Sequence, residues 1–90
     1  HLETVKLMNE VGAALNARST YGWTAVMWAA VRGHLDTVKW LTEAGADINT
    51  RSNDGWTAVM RAAGEGHLET VKWLTEEGAD MNTLGFGTRA

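Results

Sequence analysis

Cysteine and proline are both missing from the 90 residues. Without cysteine there is neither a disulfide framework nor a thiolate metal site, and the redox compartment stays open. Without proline, each helix start lacks the residue pre-organised for the first helical position. Apolar runs never exceed a few residues, far short of a membrane span or a signal-peptide core. The formal charge of −3 is too small for a basic nucleic-acid tract or an acidic disordered tail. No membrane and no nucleic-acid partner is therefore expected. Phenylalanine and tyrosine occur once each, yet tryptophan occurs five times. Their placement needs a reason.

What the chain has is repetition. The stretch from Gly22 to Asn49 returns 33 residues later from Gly55 to Asn82, with Thr24 matching Thr57, His34 matching His67 and Gly45 matching Gly78. It reaches back as well: His1 aligns with His34, Val5 with Val38, Gly12 with Gly45 and Asn16 with Asn49. A fixed period of this size is the mark of a stacked-repeat protein. The spacing predicts a partial unit at 1–17, complete units at 18–50 and 51–83, and a divergent tail at 84–90. Opening in mid-repeat, the chain reads as a piece of a longer array.

Each unit has the same local logic. Thr24 precedes AVMWAAV and predicts an N-cap whose hydroxyl accepts from the first free amides. That short helix is expected to end near Arg32–Gly33. Leu35, Val38 and Leu41 mark a second, longer helix closed by Gly45 in the left-handed conformation. Asn53–Asp54–Gly55 is the strongest turn signal. By the same reading Gly12 stops the helix of the first copy, and Ala13 to Tyr21 form a loop. Val26, Ala29 and Ala30 face Leu35, Val38 and Leu41, and each unit keeps an apolar side for its neighbour to cover.

These residues resemble the ankyrin repeat. The family pattern is carried by Gly22, Thr24, Ala29, Ala30, Gly33, His34, Val38, Leu41, Gly45, Ala46, Asp47 and Asn49, and by their equivalents 33 residues on. The resemblance implies an all-α solenoid of stacked helix-turn-helix units with hairpin loops, binding proteins through its concave face in an intracellular setting. It implies no cofactor. There are departures. The family's Thr-Pro-Leu-His tetrad reads Thr24-Ala25-Val26-Met27 and Thr57-Ala58-Val59-Met60, and the second leucine of its Leu-Leu pair is Thr42 and Thr75. Both kinds of change bear on stability rather than on fold.

Binding residues can be sought inside the chain itself. Between Gly22–Thr50 and Gly55–Thr83 only six of 29 positions differ, and the three radical changes fall together: Trp28/Arg61, Val31/Gly64 and Arg32/Glu65. A constant frame with one varying face predicts a partner-binding surface of Tyr21, Trp23, Trp28, Arg32, Asp54, Trp56, Arg61 and Glu65. Arginine and large aromatics dominate interface hot spots, and this mixture suits an acidic or aromatic-containing protein segment. Drift at exposed positions is the plain alternative, as is simple stacking of Trp23 on Trp56. Trp40 and Trp73, with Leu7, are expected to pack between units rather than bind.

Catalysis and metal binding find little support. Equivalent histidines on neighbouring units stand about 10 Å apart, whereas metal ligands lie roughly 2 Å from a shared ion; His34 and His67 are read as structural. Acidic residues recur in repeat-equivalent exposed slots, and no phosphate loop or nucleophile arrangement is present, so the chain is not expected to be an enzyme. Asn49 and Asn82 resemble side chains hydroxylated in some ankyrin proteins, against a simpler role in satisfying the turn backbone. The alternatives to partner binding are an architectural segment that self-associates end to end, and an engineered ankyrin scaffold.

Overall fold

The structure, a computed structural model, describes residues 6, 10 and 12–80. Four helices follow in two pairs: α1 (Ala25–Val31) with α2 (Leu35–Glu43), and α3 (Ala58–Gly64) with α4 (Leu68–Glu76). Residues 12–15 are also helical, and among the described residues there is no strand. Within each pair the helices pack on one another, and α1 also packs on α3. The core is one continuous cluster running through both pairs, built from Val26, Ala30, Val38, Val59, Ala62 and Leu74 with their neighbours.

Burial shows the two sides of each short helix. Ala58 in α3 is fully buried, while the corresponding Ala25 in α1 is exposed. Conversely, Ala30 is fully buried and its equivalent Ala63 is exposed. One side of the helix thus faces the preceding unit and the other faces the next. The leftover apolar side expected from the sequence is there, and small residues on it allow close approach.

Side chains also clamp neighbouring units. Asn16 donates from Nδ2 to the Gly45 carbonyl at 3.1 Å and accepts at Oδ1 from the Asp47 N–H at 2.7 Å. Asn49 repeats this one unit later, to the Gly78 carbonyl at 3.3 Å and from the Asp80 N–H at 2.9 Å. So Asn49 satisfies backbone, but that of the next unit. His67 donates from Nε2 to the Val31 carbonyl at 3.0 Å, tying its turn to the preceding unit. Its ring leaves no space at Gly33, where a Cβ would stand 2.6 Å from Nδ1, and Gly33 itself sits at φ +71°. The threonines that replace leucine are satisfied locally: Thr42 and Thr75 donate to the Val38 and Val71 carbonyls, both at 2.8 Å.

Three expectations need correction. Gly12 does not stop its helix; residues 12–15 stay helical, and the Asn16 N–H reaches the Gly12 carbonyl. The reason lies two residues on, where Asp47 accepts from the Asn49 N–H at 2.9 Å and the first copy has only Ala14. Alanine and leucine at 13–15 favour the helix instead. Second, Thr24 and Thr57 do sit at the N-cap positions, but neither side chain caps an amide. The Thr24 hydroxyl is buried in the packing without a hydrogen-bond partner. Third, the inter-unit tryptophan role holds for Trp73, which is half-buried against the core, and not for Trp40, which is 60% exposed. Leu7 and Asn82 lie outside the described residues.

Candidate functional site

The hairpin loops before α1 and α3 bring the site together. In each, a serine N–H bonds the tryptophan carbonyl four residues on, Ser19 to Trp23 and Ser52 to Trp56, both at 2.8 Å. A glycine with positive φ closes the turn, and at Gly22 no other residue fits: a Cβ would meet Asn53 at 2.5 Å. The loops are then joined to each other. Asn53 donates from its backbone to the Tyr21 carbonyl and from its side chain to the Thr20 carbonyl, both at 3.0 Å. Arg18 donates to the Arg51 carbonyl at 2.6 Å. Tyr21, Trp23, Asp54 and Trp56 are thereby fixed beside α1 and α3.

Trp23 and Trp56 do not stack on each other. Arg61 lies between them, its guanidinium carbon 4.1 Å from the Trp23 ring centre and 5.0 Å from that of Trp56. Trp23 in turn meets Trp28, with ring centres 4.4 Å apart and planes inclined at 41°. Arg32 stands over the outer side of Trp28 at 5.9 Å. The result is a column that crosses from one unit to the next: arginine, two tryptophans, arginine, tryptophan.

The two arginines in that column differ in what remains free. Arg61 donates to both carboxylate oxygens of Asp54, at 2.8 and 2.9 Å, and to the Ser52 hydroxyl at 2.8 Å. Its side chain is only 13% exposed. Ser52 also donates to Asp54, and this hydrogen bond, against an opposing desolvation and with the help of the bonds from Arg61 and the Trp56 N–H and the charge of Arg61, holds the Asp54 carboxyl below its usual range. Arg32 is exposed and has no ion pair among the described residues. One cation is spent internally and the other is available.

Of the eight residues expected from the sequence, Tyr21, Trp23, Asp54 and Arg61 line one hollow of about 250 Å³ with Asn53. Trp28 and Arg32 border a larger groove of about 480 Å³ at the outer side of α1. Trp56 flanks Arg61 and lies against Gly64, where a Cβ would touch its ring at 3.4 Å. Glu65 stands apart, exposed past the end of α3. Sequence reasoning missed Ser52 and Asn53. A signal for the Asp54–Arg61 pair existed: their equivalents are Tyr21 and Trp28, so both positions change together between copies. A comparison starting at Gly22 stops one residue short of it.

Residues 1–84 match the family model for ankyrin repeats, in three copies. Among curated proteins, none matches the chain.

Proposed function

Since the chain belongs to the ankyrin-repeat family, whose members are in general protein-interaction modules and typically non-catalytic, we propose that it is a non-catalytic binding module for a protein partner. The contact surface in this reading is the column and its rim: Tyr21, Trp28, Arg32 and Trp56 outermost, with Trp23, Asp54 and Arg61 holding them in place and Glu65 at the edge. The observation that carries it is the pairing of exposed rings with an uncommitted cation. Tyr21 is 74% and Trp28 48% exposed, and Arg32, over the Trp28 ring, has no carboxylate partner among the described residues. Large rigid rings give contact area at low entropic cost. The partner segment is accordingly one that offers carboxylates to Arg32 and rings or aliphatic groups to Trp28 and Tyr21.

The test is capture from the source extract with three baits. Expected is a partner retained by the unaltered chain and by Trp40→Ala, whose ring is exposed on α2, and lost by the double variant Tyr21→Ala/Trp28→Ala. Retention by the double variant, or loss with Trp40→Ala alone, overturns the surface assignment.

A further inference from the structure

The charges of the two complete units are unevenly divided. Residues 18–33 and 51–66, which hold the hairpins with α1 and α3, carry four arginines against Asp54 and Glu65, a surplus of two positive charges in a chain of net −3. Residues 34–50 and 67–80 carry Lys39 and Lys72 against seven carboxylates. Within the positive set, Arg61 is paired with Asp54 and Arg32 stands over Trp28. The other two are Arg18 and Arg51, at equivalent positions of the two hairpins.

Backbone carbonyls anchor both guanidinium groups on one hairpin. Arg18 crosses the joint between units and donates from Nη2 to the Arg51 carbonyl at 2.6 Å, and Arg51 donates from Nη1 to the Gly55 carbonyl at 3.0 Å. Gly22 makes the crossing possible, because a Cβ there would stand 2.7 Å from Arg18 Nη2. A carbonyl takes a hydrogen bond without cancelling the charge. The remaining N–H groups of each rigid fork keep an edge for a ligand. Both side chains are exposed, and neither has an ion pair among the described residues. Arg18 is exposed with the following hairpin beside it, and Arg51 with the preceding one, so a stacked neighbour on either side leaves this position open.

We propose that Arg18 and Arg51 together form a docking point for a short acidic run of a partner protein, its aspartate or glutamate side chains each taken by a guanidinium fork. This rests on the binding-module reading and gives the partner's chemistry at two residues outside the ring column. A carboxylate is the planar, two-oxygen acceptor that such a fork meets with parallel hydrogen bonds. The carbonyl anchors hold the forks in place beforehand and so reduce the entropy lost on binding. The seven carboxylates elsewhere in the two units repel a long phosphate backbone, whereas a short acidic run meets only the local surplus.

The experiment titrates the isotope-labelled full chain with an acetylated, amidated hexaglutamate peptide at about 0.1 M salt, where charges beyond roughly 10 Å are screened. Expected are saturable shifts of the Arg18 and Arg51 Nε–H signals and of the Gly22 and Gly55 amides. Arg18→Gln/Arg51→Gln should weaken binding about tenfold. Lys39→Ala/Lys72→Ala removes the same charge from the second helices and should change it by less than about twofold. Arg18→Lys/Arg51→Lys keeps the charge but not the fork and should fall between the two, which keeps the test decisive if the glutamine variant loses its folded spectrum. Unchanged binding by the glutamine or lysine variant, an equal loss with Lys39→Ala/Lys72→Ala, shifts centred away from the hairpins, or tighter binding of an octathymidylate strand each overturns the proposal. In the capture experiment, a partner lost with Tyr21→Ala/Trp28→Ala but held by Arg18→Gln/Arg51→Gln would overturn it too, while the binding-module reading stood.

Discussion

The second and third copies agree at 23 of 29 positions between Gly22–Thr50 and Gly55–Thr83, yet the same residue often has a different task in each. Gly33 lies against a histidine ring and Gly66 has no neighbour within 4 Å among the described residues, although both have positive φ. Trp28 is half open to solvent, while Arg61 at the equivalent position is held between two rings and a carboxylate. In a stacked array the neighbour, rather than the residue type, decides what a position does. The joint between the copies makes stability; on the outer side of α1 the Trp28 ring and the Arg32 side chain stay exposed.

The contrast can be broken most severely at the glycines. Gly33→Ala adds displacement of the His67 ring to the left-handed penalty, and should destabilise by about 3 kcal/mol against about 1 kcal/mol for Gly66→Ala. Urea midpoints of the two variants measure the gap, and equal values would contradict the close approach at the joint. Next comes the column. Arg61→Ala removes two ring contacts, the Asp54 pair and the Ser52 bond, for an expected loss of about 2 kcal/mol. Trp28→Ala should cost less than about 1 kcal/mol while doing the greater harm to partner capture. If Arg61→Ala proves neutral in thermal unfolding, the division between staple and contact residue fails.

Two smaller effects sharpen the picture. Thr24→Val replaces an unpartnered hydroxyl with a methyl group of similar shape, and should leave stability unchanged or raise it by up to about 1 kcal/mol. A clear loss would mean the hydroxyl does bond. The last effect depends on pH. Asp54 has a lowered pKa in the folded chain, so its contribution is complete above the usual aspartate value near 3.8 and fades as pH falls through the folded value. The stability difference between the chain and Asp54→Asn should accordingly hold from neutral pH down to that range and shrink below it. A difference that persisted into stronger acid would remove the ionised carboxylate from the account.

Where the sequence was legible, a single unit was enough to read from. The 33-residue lag, the glycine after α2 and the apolar positions of α1 and α2 each follow from local spacing, and the family match over residues 1–84 agrees with them. What escaped depended on groups far apart in the chain or on one missing residue. Arg61 read as a variable surface position because its partner at Asp54 lay just outside the compared window. The Gly12 helix ran on because Ala14 cannot accept the hydrogen bond that Asp47 accepts. The Thr24 hydroxyl looked like a cap because its position was right, and burial took it elsewhere. The structure joins Arg32, Trp28, Trp23, Arg61 and Trp56 in one column and leaves Glu65 apart from it; which of the residues are already engaged was written in distances, and these no spacing rule supplies.

The paired asparagine bonds act as a length gauge. Asn16 and Asn49 each reach residues 29 and 31 places further along, so a unit one residue longer or shorter presents the wrong carbonyl and the wrong amide. A slipped unit would forfeit two hydrogen bonds at each joint it borders. Insertions and deletions inside a unit are thereby discouraged, whereas gain or loss of a complete 33-residue unit leaves every gauge in register. An array of this kind is free to change in number while its period is conserved by the chemistry of one side chain.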